Sequence, residues 1–374
     1  MNYNYQHGDS MCEPDSHLSQ SHYFKPQKIP MNRKGRQMQS SISRRAGFTL
    51  IEVLVAVACI TFLIGLAIPA AQKVRESANR AACVNNMKQI GVALLAYEQT
   101  QRVLPPGCLG QPFPDIGGAP NFNVQNVGFL VQLLPHVEQG ALWERFWQGT
   151  PTNYLNVDAV AQPWWNLPGP NTAAQQRVRA FLCPADNASA SHHTYRAMQI
   201  CRFPISGDPY SFQLVADYAW WNTPNYGRTN YVGVAGYAGT GNGHPTLDKL
   251  AGIFANRVQV RLDRISETDG TSNTLAVGEY LGYRVVGNEF TATWMGVGQM
   301  PVVWGISAKP SFEWYQFGSR HPGLVNFCFA DGSVKALRVG FYPWDADQAL
   351  INSYYALAGH SDGLPVEATW LTIN

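Results

Sequence analysis

Glu52 is a carboxylate at the head of an apolar stretch that runs from Phe48 to Ala71. From Val53 to Gln72 no residue is charged, and about 20 apolar residues suffice to cross a hydrocarbon layer as a helix. A carboxylate deep in such a span costs roughly 2.5–3.5 kcal/mol, and less near the membrane edge. A free α-amino group on another chain would offset that cost, because an ammonium and a carboxylate are cheaper to desolvate together than singly. His321 and Asp331 form a second pair of interest, ten residues apart, with Val325, Phe327 and Phe329 alternating between them. An imidazole and a carboxylate can exchange protons, but no Ser or Cys nucleophile is placed with them. The residues alone favour a core hairpin that starts near His321 and turns at Asp331-Gly332, where the turn needs positive φ. Asp269 lies in the polar loop Thr268–Asn273. Calcium takes six to eight oxygens, so one carboxylate is thin provision, and an Asx-type turn is the simpler reading of Asp269.

Seven cysteines are present. Cys12 precedes the apolar stretch and Cys59 lies within it, leaving Cys83, Cys108, Cys183, Cys201 and Cys328 beyond. An oxidising compartment permits disulfides among these five, but sequence does not give the pairing. No Cys-x-x-Cys or His-containing zinc spacing occurs, so the expectation is a structural disulfide and no metal–thiolate site.

The formal charge of +2 sums two unlike regions. Residues 1–47 carry seven basic and three acidic residues, and the rest of the chain is slightly acidic. Basic residues before the apolar run place the N-terminus in the cytoplasm and the remainder across the membrane. No basic stripe suggests nucleic-acid binding. Abundant Gly, Pro, Asn and aromatics fit a turn-rich β domain of real size.

Residues 1–47 show no apolar period and read as a leader outside the fold, with Met1, Met31 or Met38 as the start. Residues 48–72 read as the membrane half of one long helix, which Pro69 should kink. Residues 73–100 read as its amphipathic half. There Met87, Ile90, Leu94 and Tyr97 share one face, while Arg75, Glu76, Arg80, Lys88 and Gln89 take others. The helix stops before Leu104-Pro105-Pro106-Gly107, and residues 101–374 form the β-rich domain. A helix interrupted at Pro135 is expected over Leu130–Trp147. Strand-like runs are Phe181–Cys183, Thr229–Gly233, Gly252–Phe254, Val258–Leu262, Asn273–Glu279, Thr291–Trp294 and Val325–Ala330. Eleven tryptophans all follow the helix, with adjacent pairs at Trp164-Trp165 and Trp220-Trp221. One member of each pair should be buried. Most of the eleven fill a core, and exposed ones would suit glycan or protein contacts.

Arg44-Arg45-Ala46-Gly47-Phe48-Thr49-Leu50-Ile51-Glu52 resembles the cleavage and methylation signal of type IV pilins and type II secretion pseudopilins. The resemblance implies cutting after Gly47 by a prepilin peptidase and N-methylation of Phe48. It also implies pairing of Glu52 with the terminal amine of a neighbouring subunit. His321, nine residues, then Asp331-Gly332 is similar to the C-terminal signature of a large prepilin-like family whose members are mostly uncharacterised. Further matching stretches are Asn85–Gly91, Leu104–Gly107, Phe181–Pro184, Thr229–Gly233 and Thr268–Thr274. That resemblance assigns no catalytic residue and no role to His321, Asp331 or Gly332. Major pseudopilins with a similar N-terminus often hold calcium in a C-terminal loop, which is what makes Asp269 a candidate.

The fold expected is α+β and pilin-like: a long N-terminal helix, transmembrane then amphipathic, packed on an antiparallel, loop-rich sheet. The function expected is a pseudopilin-like structural subunit, not an enzyme, in a type II secretion or type IV pilus-like filament. Its expected partners are the prepilin peptidase, other pilin or pseudopilin subunits, an assembly platform and membrane lipid. No cofactor is implied apart from the calcium candidate. A membrane-anchored binding module with a Trp-rich ligand- or glycan-capturing domain is the alternative, and an extracytoplasmic enzyme using His321 and Asp331 ranks last.

Overall fold

A computed structural model describes residues 47–112, 121–186, 193–202, 212–218, 225–239, 248–285, 288–306, 313–340, 348–364 and 372–373. The leader, with Cys12 and the alternative starts, and the Trp220-Trp221 pair lie outside these residues. The described chain divides between Thr61 and Phe62 into two units.

One α-helix covers Leu50–Gln101, Pro69 included. It begins directly after Thr49, whose backbone N–H and hydroxyl both donate to Glu52 Oε2 at 2.8 Å, while the Glu52 N–H reaches Thr49 Oγ1 at 3.4 Å. Thr-x-x-Glu at a helix start is a capping box, which satisfies amide donors that no helical carbonyl can reach. From Phe48 to Ile68 the large apolar side chains are exposed, and the helix is long and apolar enough to cross a membrane. From Cys83 onward its character changes. Cys83, Met87, Ile90, Gly91, Ala93 and Leu94 are buried, and Tyr97 packs partly buried beside them. At about 1.5–3 kcal/mol for each fully buried large aliphatic side chain, this stripe packs the later part of the helix against the rest of the second unit, in which it lies.

The segment expected as one interrupted helix is three short pieces: Phe129–Gln132, a 3-10 turn over Leu134–Val137, and Gly140–Phe146. Pro135 sits in the 3-10 turn, and Glu138 takes φ 59°, which a continuing helix cannot adopt. Phe181–Cys183 is not a strand. A 3-10 turn covers Arg179–Phe181, and the next residues bond to side chains: Asn86 Nδ2 donates to the Leu182 carbonyl, and the Cys183 N–H donates to Asn230 Oδ1. Val258–Leu262 also lies outside any strand and leads into a helix over Leu262–Glu267.

Among the described residues, ten strands form two five-stranded sheets. They are β1 (His193–Arg202), β2 (Phe212–Tyr218), β3 (Arg228–Thr229), β4 (Tyr231–Gly233), β5 (Leu275–Glu279), β6 (Tyr283–Val285), β7 (Asn288–Thr293), β8 (Leu324–Phe329), β9 (Val334–Arg338) and β10 (Thr372–Ile373). The first sheet has the order β2-β1-β7-β3 with β6 also on β7, and its β1–β7 pairing is parallel. The second, β10-β9-β8-β5-β4, is antiparallel throughout. Its centre is buried on both faces, since every residue of β5 and β8 is buried. Val277 and Cys328 join the cluster that contains Cys83, Met87 and Ile90. Leu275, Val325, Phe327 and Phe329 join Tyr354 and Leu357 of a second helix, Gln348–Ala358, in another. A strand covered on both sides loses polar alternation, which is why β8 carries more apolar positions than a one-faced hairpin needs. Trp164 is buried and Trp165 half-buried, on a 3-10 turn and not a strand, with the Arg196 guanidinium 4.4 Å above the Trp165 ring.

The β8–β9 hairpin turns at Asp331-Gly332, where Gly332 takes φ 78°. It comes so close to the long helix that a Cβ on Gly91 would stand 2.9 Å from Cys328 Sγ and 3.0 Å from Gly332 Cα. Gly91→Ala should therefore lose about 1–3 kcal/mol through overpacking. Gly140→Ala, where a Cβ meets nothing within 4 Å, should lose none. Urea midpoints of the two variants provide the check, and equal stability would contradict this packing.

Candidate functional site

His321 is held from three sides with its side chain fully buried. Nδ1 lies 2.7 Å from Glu76 Oε1 on the long helix. Nε2 lies 3.4 Å from Glu279 Oε1 at the end of β5 and 3.7 Å from Cys183 Sγ. Cys183 is disulfide-bonded to Cys83, seven residues and two helical turns after Glu76. Glu76 therefore extends the buried stripe of Cys83, Met87 and Ile90 and does not lie on another face. The site thus joins a helix, the loop containing Cys183, a central strand and the loop that enters β8.

Glu279 is a buried carboxylate ending the strand Leu-Ala-Val-Gly-Glu. Such a group is tolerable only with full hydrogen bonding. Its Oε2 accepts the Asn326 N–H at 2.8 Å, and Asn326 Nδ2 stands 3.1 Å from both oxygens. Burial pulls the His321 pKa down, but hydrogen bonds to Glu279 and Glu76 and their negative charges outweigh it, so the net shift is upward.

A second buried polar cluster adjoins the first through Asn230. Its Oδ1 accepts the Cys183 N–H, and its Nδ2 donates to Asp186 Oδ2 at 2.9 Å and to the Tyr280 carbonyl at 3.2 Å. The Asp186 side chain is fully buried and lies 3.4 Å from both Arg228 and Arg320. Tyr231 donates its hydroxyl hydrogen to the Cys83 carbonyl at 3.3 Å. Residues from Asn85–Gly91, Phe181–Pro184 and Thr229–Gly233 thus meet around the disulfide and His321. The Thr268–Thr274 stretch holds the hairpin instead: the Asp331 N–H donates to Thr271 O and the Ala330 N–H to Thr274 O.

His321 and Asp331 do not act as a pair. The acidic partners of His321 are Glu76 and Glu279, while Asp331 Oδ1 accepts the Ser333 N–H and shapes the turn. Asp269 accepts the backbone N–H groups of Asp362 and Gly363 at 3.2 and 2.8 Å, tying its loop to the C-terminal segment. Gly47 and Phe48 are exposed at the start of the described chain, and Glu52 is held by Thr49. Sequence reasoning missed Glu76, Glu279, Asp186 and Asn326. Two local signals existed: a carboxylate one heptad before a buried cysteine, and a carboxylate ending a wholly apolar strand.

A long apolar helix that opens on a methylation signal, then packs against an α+β domain, defines a prepilin-like protein. The prokaryotic N-terminal methylation motif matches residues 42–68, and a domain model described as a protein of unknown function (DUF1559) matches residues 72–338. The chain belongs to that DUF1559 family of prepilin-like proteins. No curated protein and no solved structure matches it.

In the disulfide-bonded chain the raised His321 pKa has a definite pH signature. A histidine whose native pKa exceeds its unfolded value of 6.5 contributes its full stability below pH 6.5 and loses it as pH rises through the native pKa. His321→Gln should remove this alkaline loss and cost about 3 kcal/mol at low pH, because Glu279 is left buried with a partner missing. Glu76→Gln should cost about 1 kcal/mol or less, since Glu76 is partly solvated. Urea denaturation of both variants across the histidine titration range tests this, and an unchanged pH slope in His321→Gln would refute it.

Proposed function

We propose that this chain is a pseudopilin-like structural subunit, not an enzyme, that polymerises in a type II secretion or type IV pilus-like filament. The observation that carries this reading is the two-part helix: it opens on a prepilin signal, leaves its apolar half exposed and gives its other half to the folded domain. A prepilin signal implies processing by a prepilin peptidase and assembly with other pilin-like subunits. In this reading the peptidase cuts after Gly47 and methylates Phe48. The cytoplasmic membrane holds the apolar segment with the basic leader inside and the β-rich domain outside. Neighbouring helices then pack through the apolar half, and Glu52 registers each subunit against the amine of the next.

A second reading has one observation in its favour. A cleft of about 450 Å³ opens beside β1 and β2, lined by Tyr195, Tyr218, Phe290, Trp314 and Glu313. Aromatic faces with one carboxylate suit a ring-shaped polar ligand, as a membrane-anchored binding module would require. The cleft engages no residue of the methylation signal or of the His321 site, so it is weaker support.

Peptide mass analysis of protein taken from its own membranes tests the proposal. The expected N-terminus is Phe48 with one added methyl group. Glu52→Ala should leave that processing intact and reduce filament yield at least tenfold. A chain that retains residues before Gly47 would favour the binding module, and normal filament yield from Glu52→Ala would remove the assigned role of Glu52.

A further inference from the structure

Cys83, Cys183, Glu279 and His321 are all buried and each presents a donor atom, with the four atoms within 4.8 Å of one another. We propose that these residues form a redox-gated zinc site, in which Zn2+ replaces the disulfide as the link whenever the two cysteines are reduced. Two thiolates, an imidazole nitrogen and a carboxylate make a four-coordinate donor set suited to zinc.

The geometry around His321 is that of a ligand already oriented. Zinc bonds of about 2.0–2.3 Å arranged tetrahedrally place neighbouring donor atoms about 3.3–3.8 Å apart. His321 Nε2 stands 3.7 Å from Cys183 Sγ and 3.4 Å from Glu279 Oε1, within that range. Its other nitrogen is engaged by Glu76 at 2.7 Å, the carboxylate–imidazole contact that fixes ring orientation in metal sites. Asn326 holds the Glu279 carboxylate from behind, and Asn230 holds the Cys183 backbone. Burial of all four donors makes this a closed structural site and not an open catalytic one. The remaining adjustment is local: the sulfurs, bonded to each other here, must part to about 3.8 Å.

The redox step balances. A phosphine and one water reduce the disulfide; the sulfur–sulfur bond breaks, each sulfur gains a proton and the phosphine becomes its oxide. Zn2+ then displaces both thiol protons to solvent, forms two zinc–sulfur bonds and completes its shell with His321 and Glu279. Both states link the long helix to the Cys183 loop, so the site would hold the domain together in reducing and oxidising surroundings alike.

The test uses the full chain in detergent, without oxygen, with the phosphine as reductant and zinc alone as probe. Reduced protein should retain one Zn2+ per chain through gel filtration, and oxidised protein none. Cobalt in place of zinc should give thiolate charge-transfer absorption and strong visible bands of four-coordinate geometry. In unmutated, reduced protein, zinc should slow alkylation of Cys83 and Cys183 at least tenfold relative to the same protein without zinc. His321→Ala and Glu279→Gln should each weaken zinc binding at least tenfold. Glu76→Gln, which alters only a positioning residue, should weaken it about 10–100-fold. Equal alkylation of Cys83 and Cys183 with and without zinc would overturn the proposal. So would undiminished zinc in the folded His321→Ala, Glu279→Gln double variant.

Discussion

The second unit depends on one costly interaction, the burial of a histidine between two carboxylates. Taking ionised groups out of water costs several kcal/mol each, and the cost is recovered only where every remaining donor and acceptor finds a partner. Here the recovery is distributed over the fold. Glu76 comes from the long helix, Glu279 from β5, His321 from the loop before β8 and Asn326 from β8 itself. Glu279 and His321 are the fully buried ionisable members, so a shift of β5, of β8 or of the loop before it would leave a buried charge without its partner. The Cys83–Cys183 disulfide adjoins the same point and closes a separation of 100 residues. Apolar packing along Met87, Ile90 and Leu94 supplies bulk stabilisation, while the polar cluster and the disulfide add the directional contacts that fix the register of helix on sheet.

That division of labour accounts for the tight approach at the other end of the contact. Once Glu76 and Cys83 fix the helix, Gly91 falls opposite the hairpin turn, where only a residue without a Cβ fits between Cys328 and Gly332. Asp331 belongs to this end. Its role is to shape the turn that Gly332 completes and Thr271 supports. His321 and Asp331 thus serve two ends of one helix–sheet contact, with β8 running between them. Their fixed spacing reflects the length of that strand and not a shared proton.

The long helix and its two halves were legible in the sequence because they rest on local periodicity and an unbroken apolar run. The Asp331-Gly332 turn was legible for the same reason. The split into two sheets was not, since β5 and β8 are buried on both faces, so that the Val325, Phe327 and Phe329 alternation marks only one of those faces, while β1 and β7 pair in parallel across a long intervening segment. Phe181–Cys183 looked like a strand because its residues are apolar, yet its backbone bonds to the side chains of Asn86 and Asn230. The site itself was the least legible part. Glu76 and His321 are 245 residues apart, and the cysteines pair over 100, so no spacing rule could gather them. The lack of a local zinc pattern excluded only a site built from one segment.

The capping box at the start of the helix bears on the proposed role of Glu52. In the uncleaved chain the Phe48 nitrogen is a peptide amide and cannot provide an ammonium. The Glu52 carboxylate is meanwhile satisfied within its own chain, since Thr49 donates twice to Oε2. These bonds lower the cost of carrying the carboxylate at the edge of an apolar span before any partner arrives. An ionised carboxylate has about four acceptor sites on two oxygens, so capping by Thr49 does not exhaust it. Oε1 remains available to the amine of a neighbouring subunit while Oε2 keeps the helix start in place. A neighbour's ammonium would then add to an arrangement already formed, with no need to break the cap, and the proposed assembly contact would avoid the cost of reordering the terminus.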